Sequence, residues 1–146
     1  MLFRSADGVA AKIDDVARTR GLDIEIVRNG SRGMLWLEPF VEVETERGRI
    51  GYGPVAAEDV VGLIDAGMLI GEAHPLCHGI VDEIPWLARQ QRVTFARVGL
   101  SDPLDLDEYR ATGGLVGLER AARMDPSDVV AEVLASGLRE IGRAHV

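Results

Sequence analysis

Three features of the sequence predict an α/β fold: an apolar stripe of helical period near the N-terminus, alternating strand-like segments behind it, and a return to helical spacing after them. Val9, Ile13, Val16 and Ala17 stand at i, i+4, i+7 and i+8, which predicts a helix over residues 7–20 ended by Gly21. From Leu22 the period falls to two. Leu22, Ile24 and Ile26 alternate with Asp23 and Glu25, as in a strand with one face in water. The loop Asn29-Gly30-Ser31-Arg32-Gly33 follows, and Glu38-Pro39 feeds the next strand. Val41 and Val43 alternate with Glu42, Glu44 and Glu46, and a turn at Arg47-Gly48 leads into Arg49-Ile50-Gly51-Tyr52, predicting a hairpin with one acidic face. Val60, Val61, Ile64 and Met68 then restore helical spacing, with a stop near Gly67.

Residues 70–113 are less regular because Pro75, Pro85 and Pro103 interrupt them, and they read as a wrapped connector containing short elements. Pro85 suits the first turn of a helix through Gln91. Arg92 to Val98 alternates like a strand, and Asp105 to Arg110 fits one helical turn. After Gly113-Gly114 two helices are predicted, one through Met124 and one entered at Asp125-Pro126. In the second, Asp125 is the N-cap, Pro126 the first helical residue, and Val129, Val130, Val133 and Leu134 face inward. The sequence contains no internal repeat and no low-complexity segment.

A chain of 146 residues, 47 % hydrophobic, holds one ordinary domain, or one small domain and the beginning of another. Its formal net charge of −8 argues against a nucleic-acid surface and makes a basic protein surface the fitting partner. No apolar run reaches the length of a membrane span, and the N-terminal MLFRSADG meets charge too early for a signal peptide. The expectation is a cytoplasmic protein with no membrane insertion. Cys77, the single cysteine, excludes an internal disulfide framework and fits a reducing compartment, where the sequon Asn29-Gly30-Ser31 has no use.

Candidate chemistry is sparse. His74, Cys77 and His78 are metal-ligand types, but Pro75 breaks the helix that would align them, and the only other histidine is His145. A loop with a half-buried cysteine is the plainer reading. Cys77 also has no second cysteine to resolve a redox cycle. Asp14-Asp15, the Glu42/Glu44/Glu46 row and Asp105/Asp107/Glu108 read as solvated faces rather than a pair of carboxylates in a cleft. Ser31 has no neighbouring histidine, and Gly-Ser-Arg-Gly is not the Gly-x-Ser-x-Gly nucleophile elbow. Gly30 and Gly33 could cradle an anion with Arg32, although no helix follows them. No residue is assigned a catalytic, cofactor-binding or metal-binding role.

Four stretches carry a resemblance: Val27 to Val43 (VRNGSRGMLWLEPFVEV), Gly48 to Val55 (GRIGYGPV), Gln90 to Gly99 (QQRVTFARVG) and Asp102 to Gly114 (DPLDLDEYRATGG), joined by Asp128 to Arg139 (DVVAEVLASGLR). They resemble the N-terminal part of the flavin-containing diaphorase subunits of complex I, NAD-reducing hydrogenases and NAD-dependent formate dehydrogenases, above all the formate dehydrogenase beta subunits. The resemblance implies a thioredoxin-like, ferredoxin-type domain over 1–80, a connector over 81–113 and the start of an FMN- and NADH-binding domain over 114–139. Cluster-bearing relatives carry Gly-Cys-x-Gly-x-Cys-x-x-Glu-Pro in the loop. Aligned on Gly30, Gly33, Glu38 and Pro39, those cysteine positions hold Ser31 and Leu35, so the scaffold is expected without its [2Fe-2S] centre. FMN, NAD and [4Fe-4S] sites are implied only for a C-terminal part that this chain lacks, and the implied partners are the other subunits of such a complex.

The segment itself is expected to be inactive, serving in docking. In the family, Ser-Gly-Leu-Arg runs directly into a glycine-rich flavin loop, whereas Ser136-Gly137-Leu138-Arg139 is followed here by EIGRAHV. One frame of a common sequencing adapter encodes that tail, so 140–146 is expected to be non-native and the reading frame cut short. Two competing readings remain open: a stand-alone thioredoxin-like adaptor for a basic partner, and a small metal-binding protein using His74, Cys77 and His78.

Overall fold

The structure, a computed structural model, describes residues 5–139, and the chain divides into two compact units, Met1–Leu100 and Ser101–Val146. The expectations for the tail 140–146 and for His145 lie outside the described residues.

The first unit is a small α/β domain. Helix α1 (Ala6–Arg20) starts at Ser5, whose Oγ accepts from the Gly8 N–H at 3.3 Å, and ends at Gly21, which takes the left-handed φ of 65° that favours glycine. Asp7 in its first turn and Arg18 and Arg20 in its last complement the helix dipole. Strands β1 (Val41–Thr45) and β2 (Gly48–Tyr52) form the expected hairpin, in register Val41 to Tyr52 and Val43 to Ile50. Helix α2 (Val60–Asp65) follows, with Gly67 at φ 88° just beyond it. Strand β3 (Cys77–Ile80) pairs antiparallel with β2, giving the order β1-β2-β3 and placing β2 at the centre. One turn of helix, α3 (Pro85–Ala88), comes next.

The apolar stripe of α1 (Val9, Ile13, Val16) closes on Ile50 and Tyr52 of β2, on Val60 and Leu63 of α2, and on Val55 and Met68. Tyr52 is fully buried and donates its hydroxyl to the Glu72 carbonyl at 2.7 Å, so burying the phenol strands no polar atom. Met34, Leu37, Val81, Ile84 and Leu87 form a second cluster against Phe40. The Phe40 ring lies on the backbone at Gly51 and Gly53, where a side chain at either position would overlap it.

Several elements differ from the sequence expectation. The predicted strand Leu22–Ile26 joins no ladder, because no neighbouring strand among the described residues offers it backbone partners. Arg92–Val98 is a run of tight turns, with Val98 N–H bonded to the Phe95 carbonyl and Leu100 N–H to that of Arg97. As a strand it too would lack a partner, and Val93 and Phe95 stand in solvent. Cys77–Ile80, read as connector, is instead the third strand. The helix at Pro85 stops after one turn rather than reaching Gln91. Among the described residues every strand pair is antiparallel.

The second unit is helical. Asp105 caps α4 (Leu106–Ala111), its carboxylate accepting from the N–H groups of Asp107 and Glu108. Helices α5 (Val116–Ala121) and α6 (Pro126–Ala135) are linked by Arg120 and Glu132 at 2.7 Å. Asp125 and Pro126 hold the expected positions, although the Asp125 side chain makes no capping bond. Val130, Val133 and Leu134 do not face inward: all three are exposed.

Candidate functional site

The glycine-bracketed loop is organised by Arg32. Its Nε and Nη2 donate to Glu42 Oε1 and Oε2, both at 2.6 Å, in a bidentate pair whose side chains are 8 % and 19 % exposed. Arg32 Nη2 also reaches the Gly99 carbonyl at 3.5 Å, and Arg92 Nη2 donates to the Arg32 carbonyl at 2.9 Å. Residues 29–33 are thereby fastened to β1 on one side and to 92–99 on the other. Gly99 permits this approach, since a Cβ there would overlap the guanidinium and its φ is 81°.

Ser31 braces the same loop from within. Its hydroxyl donates to Glu38 Oε1 and accepts from the Gly33 N–H at 2.9 Å. Beyond it the tight helical turn Leu35–Leu37 buries Leu37 and turns Leu35 and Trp36 into solvent. Trp36 meets Trp86 edge to face, with ring centroids 5.3 Å apart and both rings about half exposed. A shallow hollow of about 410 Å³ beside Trp86 is lined by Pro85, Arg89 and Gln90.

The sequence candidates fall into place around this geometry. The anion cradle is not formed, because the Arg32 guanidinium is committed to Glu42. For the same reason Glu42 leaves the solvated acidic face on which its alternation placed it; Glu44 remains exposed, with Arg49 at 3.8 Å. Asp14 pairs with Arg18 at 2.8 Å and Asp15 with Lys12 at 3.3 Å along α1, as surface pairs do. Asp105 and Asp107 belong to the cap and first turn of α4, and Glu108 accepts from the Asp102 N–H at 2.6 Å.

The histidine–cysteine segment is spent on structure. His74 Nδ1 accepts from the Leu76 N–H at 3.1 Å, His78 Nε2 bonds the Gly53 carbonyl at 2.8 Å, and Cys77 Sγ accepts from the Gly79 N–H at 3.4 Å. Among the described residues no three His, Cys, Asp or Glu side chains converge as a metal site. A [2Fe-2S] centre does not fit the donor set. At the two loop positions stand a hydroxyl held by Glu38 and an exposed leucine, and Cys77 is the chain's one thiol, where about four thiolates are needed.

Sequence reasoning missed the Arg32–Glu42 pair and the Trp36–Trp86 contact. Arg32 is the lone charge inside a glycine-rich loop, which is the one local hint that it has a partner. Nothing local joins two tryptophans so far apart in the chain. No known family model matches the chain, and no curated protein matches it at a significant level.

Proposed function

We propose that the chain is the N-terminal docking segment of an electron-transfer subunit of an NAD-dependent formate dehydrogenase, with a thioredoxin-like domain that has lost its iron–sulfur cluster. One observation carries the reading. Two of the stretches that carry the resemblance, the loop Asn29 to Gly33 and Gln90 to Gly99, are tied to each other through Arg32 and Arg92. Two separated motifs that hold one another in place are what a retained scaffold requires. The parent subunit would pass electrons between FMN, iron–sulfur clusters and NAD in the cytoplasm, all on residues beyond this chain. The segment's own contribution is contact: Leu35, Trp36 and Trp86 are the kind of partly exposed apolar and aromatic side chains that anchor protein interfaces.

Two experiments test this. Mixed with the purified molybdenum-bearing subunit of such an enzyme at micromolar concentrations, the chain is expected to co-elute with it in size-exclusion chromatography, and Trp36→Ser with Trp86→Ser to elute separately. Separate elution of the unaltered chain overturns the docking role. Sequencing the coding DNA past the Arg139 codon from an independent template is expected to reveal a glycine-rich flavin loop. A confirmed stop after Val146 would instead favour the second reading, a stand-alone adaptor for a basic partner, which gains support from the first unit's own closed core around Tyr52.

A further inference from the structure

Residues 22–28 have the side-chain pattern of a strand and none of its hydrogen bonds. Leu22 and Ile24 are half-buried while Asp23 and Glu25 are exposed, so the backbone presents its side chains alternately, as a strand does. Yet among the described residues no N–H or C=O from Asp23 to Ser31 bonds to another backbone group. Unpaired strand-like backbone is a template for pairing with another chain. Beside it runs an open groove of about 490 Å³ between α1 and this segment, with Asp7, Ala10, Ala11 and Asp14 of α1 on one wall and Ile24, Ile26 and Arg28 on the other. The two alanines leave the room; Arg28 and Asp7, paired at 2.7 Å, mark one end.

Charge identifies the occupant. Asp23 and Glu25 form an outward carboxylate face, and neither makes an ion pair or side-chain hydrogen bond among the described residues. A second copy of this segment is a poor fit. With the isoleucine faces aligned, any pairing sets Asp23 and Glu25 on the same face as their counterparts, and like charges across strands repel. We propose that residues 22–28 accept an added β-strand from a partner polypeptide in which apolar residues alternate with Lys or Arg. The apolar side chains enter the groove against Ile24, Ile26 and the alanines, and the basic ones cross-pair with Asp23 and Glu25. This surface involves neither Trp36 nor Trp86, and the inference stands without the formate dehydrogenase reading.

The probe is a short synthetic peptide alternating valine with lysine, titrated by fluorescence anisotropy beside a valine–glutamate peptide, with amide hydrogen exchange measured in both states. The valine–lysine peptide is expected to bind and to slow exchange of amides within 23–28, and the valine–glutamate peptide to fail. Ile26→Pro removes an N–H that no described group uses, and should weaken binding by about tenfold or more. Asp23→Lys with Glu25→Lys, at exposed positions that leave the core alone, should reverse the preference between the peptides. Equal binding of both peptides, unchanged exchange over 23–28 on binding, or an unreversed preference would each overturn the proposal.

Discussion

Arg32 and Glu42 illustrate how much one pair of side chains decides. Both are largely removed from water, and each satisfies the other through two short hydrogen bonds. Truncation leaves a partly buried carboxylate with only Arg49 nearby, at 4.0 Å. Arg32→Ala is therefore expected to cost about 2–3 kcal/mol. A urea titration would show it as a lower midpoint at unchanged slope. Arg32→Lys should recover only part of the loss, because an ammonium does not match the bidentate geometry. Tyr52 makes a second residue-scale prediction. Burial pushes its phenol from 10.0 up to about 12, with the adjacent Cys77 adding to the effect. The unfolded chain then gives up this proton first as pH rises. The stability the neutral phenol contributes is complete below pH 10 and falls by about 1.4 kcal/mol per pH unit until the folded phenol itself ionises near 12. Thermal melts across that window should steepen in pH dependence for the unaltered protein relative to Tyr52→Phe.

At the scale of elements, the same residue type has opposite value in two helices. Leu63 of α2 is 1 % exposed and belongs to the main core, so Leu63→Ala is expected to cost about 3 kcal/mol. Leu134 of α6 is 75 % exposed, and Leu134→Ser should leave the melting temperature unchanged while reducing self-association in light scattering. Loss of stability on Leu134→Ser would show that α6 is covered in solution. The periodicity that placed these helices gave no warning of the difference. It reports that a helix has an apolar face and says nothing about whether another surface meets it. Strands show the same gap. The β1–β2 hairpin was legible because its turn joins the two partners within a few residues, whereas β3 was hidden: its partner lies about 25 positions upstream and Pro75 precedes it.

Across the whole molecule, the candidate site followed the same division. That Ser31 and Leu35 supply no thiolate could be read directly, since donor types are a property of the residues. That Arg32 would fasten the loop to both β1 and Gly99 could not, because those contacts join segments 10 and 67 positions apart. The sequence by itself determined α1 with its glycine stop, the hairpin, α2, the helical turn beginning at Asp105 and the entry into α6. Each of these rests on bonds and side-chain faces that close within a few residues. Only the tertiary structure decided that Leu22–Ile26 pairs with nothing described, that Cys77–Ile80 completes the sheet, and that Glu42 is half-buried against Arg32. The physical reason is that a ladder hydrogen bond or a buried charge needs a second, distant segment to complete it, and local pattern does not specify which segment arrives.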